Sequence, residues 1–187
     1  MNAPLDRRLL LRTVLKLMAF VGFLFVGYIA VISVLGGRPV GSDTLRTVKL
    51  GTLAPGEVMW LDWGGRRVVV LHRTEAMLAE VARLGPELKS PDPLFDNRPG
   101  TADPETRSVD PRYFVALAYG TELGCELEFV PYRSDAADGW RGGFRDRCRG
   151  SRYDFAGRVL KQDSAPRNLD VPDYYFLNPQ RLVLGRE

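Results

Sequence analysis

The chain carries a sparse set of reactive side chains: two cysteines, Cys125 and Cys148, and one histidine, His72. That inventory rules out any metal site that needs several Cys and His ligands from one chain. Two thiolates with Glu122 or Asp146 would make only an odd, weak site, so no metal is expected. The cysteines do not form a C-x-x-C pair, so a redox-active dithiol is not expected either. His72 ends an apolar run and is expected to be a surface or half-buried strand residue. There is no phosphate-binding glycine loop, no H-E-x-x-H and no nucleophile elbow. No acidic pair is placed for acid–base work. No catalytic residue is expected, and Trp60, Trp63 and Trp140 are expected in a core or an interface.

The elements that must position these residues fall into two parts. Leu17 to Leu35 is 19 residues without a charge. As a helix it would be about 28 Å long, close to the thickness of a bilayer core. Before it, Arg7, Arg8, Arg12 and Lys16 stand against Asp6, which accounts for the whole net charge of +3. The remaining residues sum to zero, so no basic face calls for nucleic acid. Positive charge before the helix predicts a cytoplasmic N-terminus, with the long domain across the membrane. Asp6 to Arg12 (DRRLLLR) is similar to a twin-arginine export signal. The expected organisation is a cytoplasmic basic segment at 1–16, a transmembrane helix at 17–35, a Gly/Pro hinge linker at 36–42, and a folded domain at 43–187.

With 45% hydrophobic and 26% charged residues, that domain is long enough to bury a core. Residues 58–63 and 66–72 predict a hairpin turning at Gly64-Gly65. Residues 75–84 predict a helix capped by Thr74. Residues 90–111 predict a long loop, 112–118 a strand, and the rest short strands among Gly- and Pro-rich turns. The expected class is mainly β: one N-terminal transmembrane helix plus an antiparallel β domain with one short helix.

Two stretches are most informative. Residues 120–125 read Gly-Thr-Glu-Leu-Gly-Cys, and residues 146–154 read Asp-Arg-Cys-Arg-Gly-Ser-Arg-Tyr-Asp. With their flanks, Trp140 to Phe144 and Asp154 to Val159, they resemble the two cluster-binding loops of Rieske iron–sulfur proteins, the iron–sulfur subunits of quinol–cytochrome c oxidoreductases. Those loops read C-T-H-L-G-C and C-P-C-H-G-S-x-[YF]-D. Ser164, Ala165 and Pro166 are similar to the family's proline loop. The resemblance covers nearly the whole chain and makes residues 112–170 the cluster-binding subdomain.

The family's four ligands would stand at Gly120, Glu122, Asp146 and Arg149. None of these is a Cys or a His. Cys125 and Cys148 occupy the positions of the family's disulfide, which an exported domain would retain. Ser151 and Tyr153 match residues that hydrogen-bond the cluster sulfurs and are expected here to be structural. Glu122 and Arg149 are expected to form an ion pair, and Asp146 to find a partner in Arg145 or Arg147.

The family takes an electron from quinol and delivers it to a cytochrome. By resemblance, this chain is expected in the bacterial inner membrane as a single-pass protein with a periplasmic domain. Cytochrome b and cytochrome c subunits are the implied neighbours. No cofactor is expected, because the [2Fe–2S] ligands are absent. The chain is therefore expected to be a cluster-free accessory or structural subunit, not catalytic by itself. An independent exported binding or assembly module is the alternative, and a catalytic quinol–cytochrome c reductase iron–sulfur subunit that holds metal in some other way is the third reading.

Overall fold

The computed structural model describes residues 7–35, 45–89 and 96–185. The expected linker at 36–42, the start of the long loop at 90–95 and the residues before Arg7 lie outside the described residues. The chain divides into two compact units, Met1–Val40 and Gly41–Glu187.

The first unit holds one helix, α1 (Arg7–Leu35), 29 residues long. It starts ten residues before the charge-free stretch, because Arg, Lys and Leu are good helix formers and no proline or glycine interrupts residues 7–17. Within it, Leu10–Ile29 is long and apolar enough to cross a membrane, and its side chains are exposed.

The second unit is mainly β. Its elements in chain order are β1 (Arg46–Lys49), β2 (Val58–Trp63), β3 (Arg66–His72), α2 (Glu75–Arg83), a 3₁₀ turn (Gly85–Glu87), β4 (Tyr113–Leu117), β5 (Leu127–Val130), β6 (Gly143–Asp146), β7 (Arg152–Tyr153), β8 (Tyr174–Asn178) and β9 (Arg181–Leu184). They form three antiparallel three-stranded sheets in the orders β1-β9-β8, β2-β3-β4 and β5-β6-β7.

The β2–β3 hairpin turns where expected. Gly64 and Gly65 have φ of 55° and 75°, the positive values that a two-residue type I′ turn demands. β3 is the central strand of its sheet, and Val68 to Leu71 are wholly buried. An apolar run without alternation suits a strand covered on both faces. α2 also begins where expected, with the Thr74 hydroxyl accepting the Met77 N–H at 3.3 Å. Met77 and Val81 bury its apolar stripe. β1, absent from the sequence reading, gains its order by pairing with β9, far along the chain.

The sheet that carries the resemblance, β5-β6-β7, packs through aromatic side chains. Phe144 on β6 meets Phe114 on β4 and Phe129 on β5, with ring centroids 5.8 and 5.7 Å apart. Phe114, Phe144, Tyr153 and Phe155 are wholly buried. A rigid core therefore supports the loops above it. Trp63 and Trp140 are buried, while Trp60 is half-buried. His72 is a half-buried strand residue, as expected: it stacks on Tyr113, and its Nδ1 lies 2.8 Å from the Leu53 carbonyl.

Candidate functional site: three loops at one end of the β5-β6-β7 sheet

Three loops meet: residues 120–125 between β4 and β5, residues 147–151 between β6 and β7, and residues 163–167 after β7. The first closes on itself, with Gly120 N–H donating to Cys125 O at 2.8 Å and Gly124 N–H to Gly120 O at 3.1 Å. The second closes through Asp146 N–H to Ser151 O and Gly150 N–H to Asp146 O, both 2.9 Å. A disulfide joins Cys125 and Cys148 across the two loops.

The four positions that the resemblance makes ligand positions are brought together in two pairs. Arg149 Nε lies 3.4 Å from Glu122 Oε1, the expected ion pair. The Arg149 side chain is 58% exposed, so solvent screens the contact strongly. Asp146 does not pair with Arg145 or Arg147. Those arginines face Glu128 and Glu126 instead. Asp146 turns inward and is 1% exposed, because its side chain belongs to the buried face of β6. Its Oδ1 accepts the N–H groups of Cys148 at 2.7 Å and Arg149 at 3.0 Å. Its Oδ2 lies against Gly120, where a Cβ would stand only 1.8 Å away. A side chain at 120 and the Asp146 carboxylate therefore compete for one volume.

The third loop is tied to both others by hydrogen bonds. Ser164 Oγ donates to Glu122 Oε2 at 2.6 Å and lies 3.1 Å from Ser151 Oγ. Ser151 Oγ accepts the Ala165 N–H at 3.2 Å. Tyr153 OH accepts the Thr121 N–H at 3.1 Å, and Thr121 Oγ1 donates to Arg167 O at 2.7 Å. Burial pushes the Tyr153 hydroxyl above the usual phenol range, against the opposing hydrogen bonds from Thr121. It is a neutral structural hydroxyl at ordinary pH. Ala165 is wholly buried, which anchors the segment that continues into Pro166.

Two buried arginines hold this end of the domain together. Arg107, 1% exposed and with φ of 51°, pairs with Asp96 at 2.9 Å. It also donates to the carbonyls of Leu169, Ala156 and Gly157 at 2.9, 3.2 and 3.4 Å. Arg73 donates to Thr106 O at 3.0 Å and to the Ser108 hydroxyl at 2.5 Å. Burial pushes Arg73 down to about 10, partly offset by Asp154.

A Rieske-type [2Fe–2S] cluster requires two thiolates on one iron and two imidazoles on the other. Here both sulfurs are bound to each other, and the one imidazole sits on β3 against Leu53. Gly120 offers no side chain, and Arg149 has no lone pair to donate. The Asp146 carboxylate, moreover, fills the space beside Gly120. The residues do not fit that cluster.

Small antiparallel sheets carrying two disulfide-tied loops and a third, Ser-Ala-Pro loop define a Rieske-type domain. Two sequence relatives agree. The chain is 35% identical over 153 residues to the ubiquinol–cytochrome c reductase iron–sulfur subunit of Allochromatium vinosum, covering 81% of this chain and 71% of that protein. It is 30% identical over 153 residues to the subunit of the same name from Bradyrhizobium diazoefficiens, covering 82% and 75%. A chain of a solved structure described as a hyperthermophilic respiratory complex III is similar at 17% identity with a TM-score of 0.42, covering 91% of this chain and 98% of that one. No protein-family model matches the sequence. The chain belongs to the family of Rieske iron–sulfur subunits of ubiquinol–cytochrome c reductase.

Proposed function

We propose that the chain is a membrane-anchored, cluster-free accessory or structural subunit of a cytochrome bc-type respiratory complex or supercomplex. The observation that carries this reading is the inward Asp146 carboxylate packed against Gly120, with Glu122 and Arg149 paired beside it. The loops are closed by their own side chains. Electron transfer by the relatives' cluster has no donor set in this chain, whereas the surrounding domain, its disulfide and its proline loop are intact. A subunit of this kind contributes shape and contacts.

The relatives named as iron–sulfur subunits of ubiquinol–cytochrome c reductase support cytochrome b and cytochrome c subunits as neighbours. The window Leu10–Ile29 supports a single-pass anchor. The basic residues before it favour a cytoplasmic N-terminus and a periplasmic domain in a bacterial inner membrane. The twin-arginine segment suits export of a domain that has already folded.

The test is iron content and the visible spectrum of the chain purified gently from its native membrane, with every co-purifying protein identified. An iron-free, colourless chain travelling with a cytochrome complex is expected. Stoichiometric iron with a Rieske-like spectrum would overturn the reading. A colourless chain that leaves the membrane alone, in each detergent tried, would replace it with an independent exported module.

A further inference from the structure

Asp146 presents a feature that structural duty alone does not use. Its carboxylate is 1% exposed, yet Oδ2 has no hydrogen-bond partner among the described residues. A buried carboxylate oxygen left unpaired is costly, so such an atom is a candidate ligand. Beside it stand Cys125 and Cys148. One oxygen of Asp146 and the two sulfurs all lie within 4.8 Å of one another.

We propose that on reduction of the Cys125–Cys148 disulfide this trio binds a single thiophilic divalent cation, of the zinc or cadmium class, at the joint between the two loops. Bonds of about 2.3 Å to sulfur and 2.1 Å to oxygen, arranged tetrahedrally, put ligand atoms about 3.5–3.8 Å apart. The sulfurs, bonded to each other in the oxidised chain, move apart on reduction to reach these spacings, with the Asp146 carboxylate already beside them. Asp146 is held in place beside the two sulfurs, because Oδ1 accepts the N–H groups of Cys148 and Arg149, and its Oδ2 makes no hydrogen bond among the described residues. Glu122, a second carboxylate of these loops, is engaged at both oxygens, one by Arg149 and one by Ser164. Two thiolates and a carboxylate favour a soft or borderline cation. Water completes the coordination. Cys148 is exposed, so a small reductant can reach the bond.

The chemistry balances. A dithiol reductant is oxidised to its own disulfide as the Cys125–Cys148 bond breaks, and two electrons and two protons pass to the protein sulfurs. Binding the cation then releases the two thiol protons to solvent. The oxidised chain has no free thiolate to offer, so the site exists only in the reduced form. This inference stands whether or not the chain joins a respiratory complex.

The test uses the full chain in detergent, oxidised or reduced with a dithiol and freed of excess reductant without air, titrated with cadmium ion. The readout is the thiolate-to-cadmium charge-transfer absorbance. One cadmium per reduced chain and none on the oxidised chain are expected. Asp146→Ala should weaken binding by about tenfold or more, and Glu122→Ala should leave it unchanged. Asp146→Asn keeps an acceptor for the loop N–H groups while losing the anionic ligand, and should weaken binding in the same way if the Ala variant does not fold. No charge-transfer band on the reduced chain, equal binding by the oxidised chain, or undiminished affinity in Asp146→Asn would overturn the proposal.

Discussion

Asp146 Oδ2 occupies the space directly beside Gly120, so that a single methyl group on residue 120 would stand 1.8 Å from it and 2.7 Å from Asp146 Cγ. The two residues are complementary. The glycine makes room for a carboxylate that in turn holds the Cys148 and Arg149 N–H groups. Gly120→Ala should therefore destabilise the domain by about 1–3 kcal/mol, as overpacking does in a tight interior. The urea midpoint of the full chain in detergent reads this. On an Asp146→Ala background the same change should cost clearly less, because the two carboxylate clashes are gone and only the 3.1 Å contact with the Cβ of residue 146 remains. Equal costs on the two backgrounds would show that the pair is not coupled.

The disulfide between Cys125 and Cys148 closes 23 positions. On the chain-entropy account its loss costs about 3 kcal/mol. Cys125→Ser paired with Cys148→Ser should lower the unfolding midpoint accordingly. Adding a dithiol should lower the midpoint of the natural chain and leave that of the double variant unmoved. A midpoint in the natural chain that ignores reductant would mean the bond adds nothing.

Much of this was legible in the sequence, and what was not has a physical reason. The hairpin at Gly64-Gly65 and the cap at Thr74 follow from local chemistry, since neighbours along the chain decide them. The Glu122–Arg149 pair followed from two opposite charges in loops that the resemblance brings together. The inward turn of Asp146 did not follow, because Arg145 and Arg147 beside it in sequence suggest a solvated pair. What decides its direction is the strand: Asp146 falls on the buried side of β6 while Arg145 points out. Arg107 left no signal at all. It sits in a polar stretch without periodicity, where an arginine is ordinarily solvated, and its burial depends on the carbonyls of Ala156, Gly157 and Leu169. β1 was missed for a similar reason, because its partner β9 lies at the other end of the domain.

The Glu122–Arg149 contact should be worth little. Arg149 is more than half exposed, and exposed pairs contribute about 0–1 kcal/mol. A double-mutant cycle with Glu122→Gln and Arg149→Met should give a coupling in that range, shrinking as salt is added. Glu122→Ala should cost more than the coupling alone, because the Ser164 hydroxyl also loses its acceptor. A large, salt-insensitive coupling would mean that the pair is desolvated, contrary to its exposure.

Arg107 is the reverse case. Arg107→Met would leave the Leu169 and Ala156 carbonyls without this donor and take one of its two arginines from the Asp96 carboxylate, at a cost of about 3 kcal/mol or more. The same pair sets an acid limb. Burial by itself would raise the Asp96 carboxyl, but Arg107 and Arg98 outweigh it and hold the group below its usual range. A carboxyl lowered by folding contributes stability that is fully present above its unfolded value of about 3.9. That contribution is lost as pH falls through the lower folded value. Stability of the natural chain should therefore decline as pH drops below about 4, and Asp96→Asn should flatten that decline. In Arg107→Met the carboxyl loses its principal cation while its burial remains. Its folded value then rises toward the unfolded one, so the decline on acidification should be shallower than in the natural chain. Urea midpoints measured across the acid range decide this, and an acid limb unchanged in both variants would mean that Asp96 does not set it.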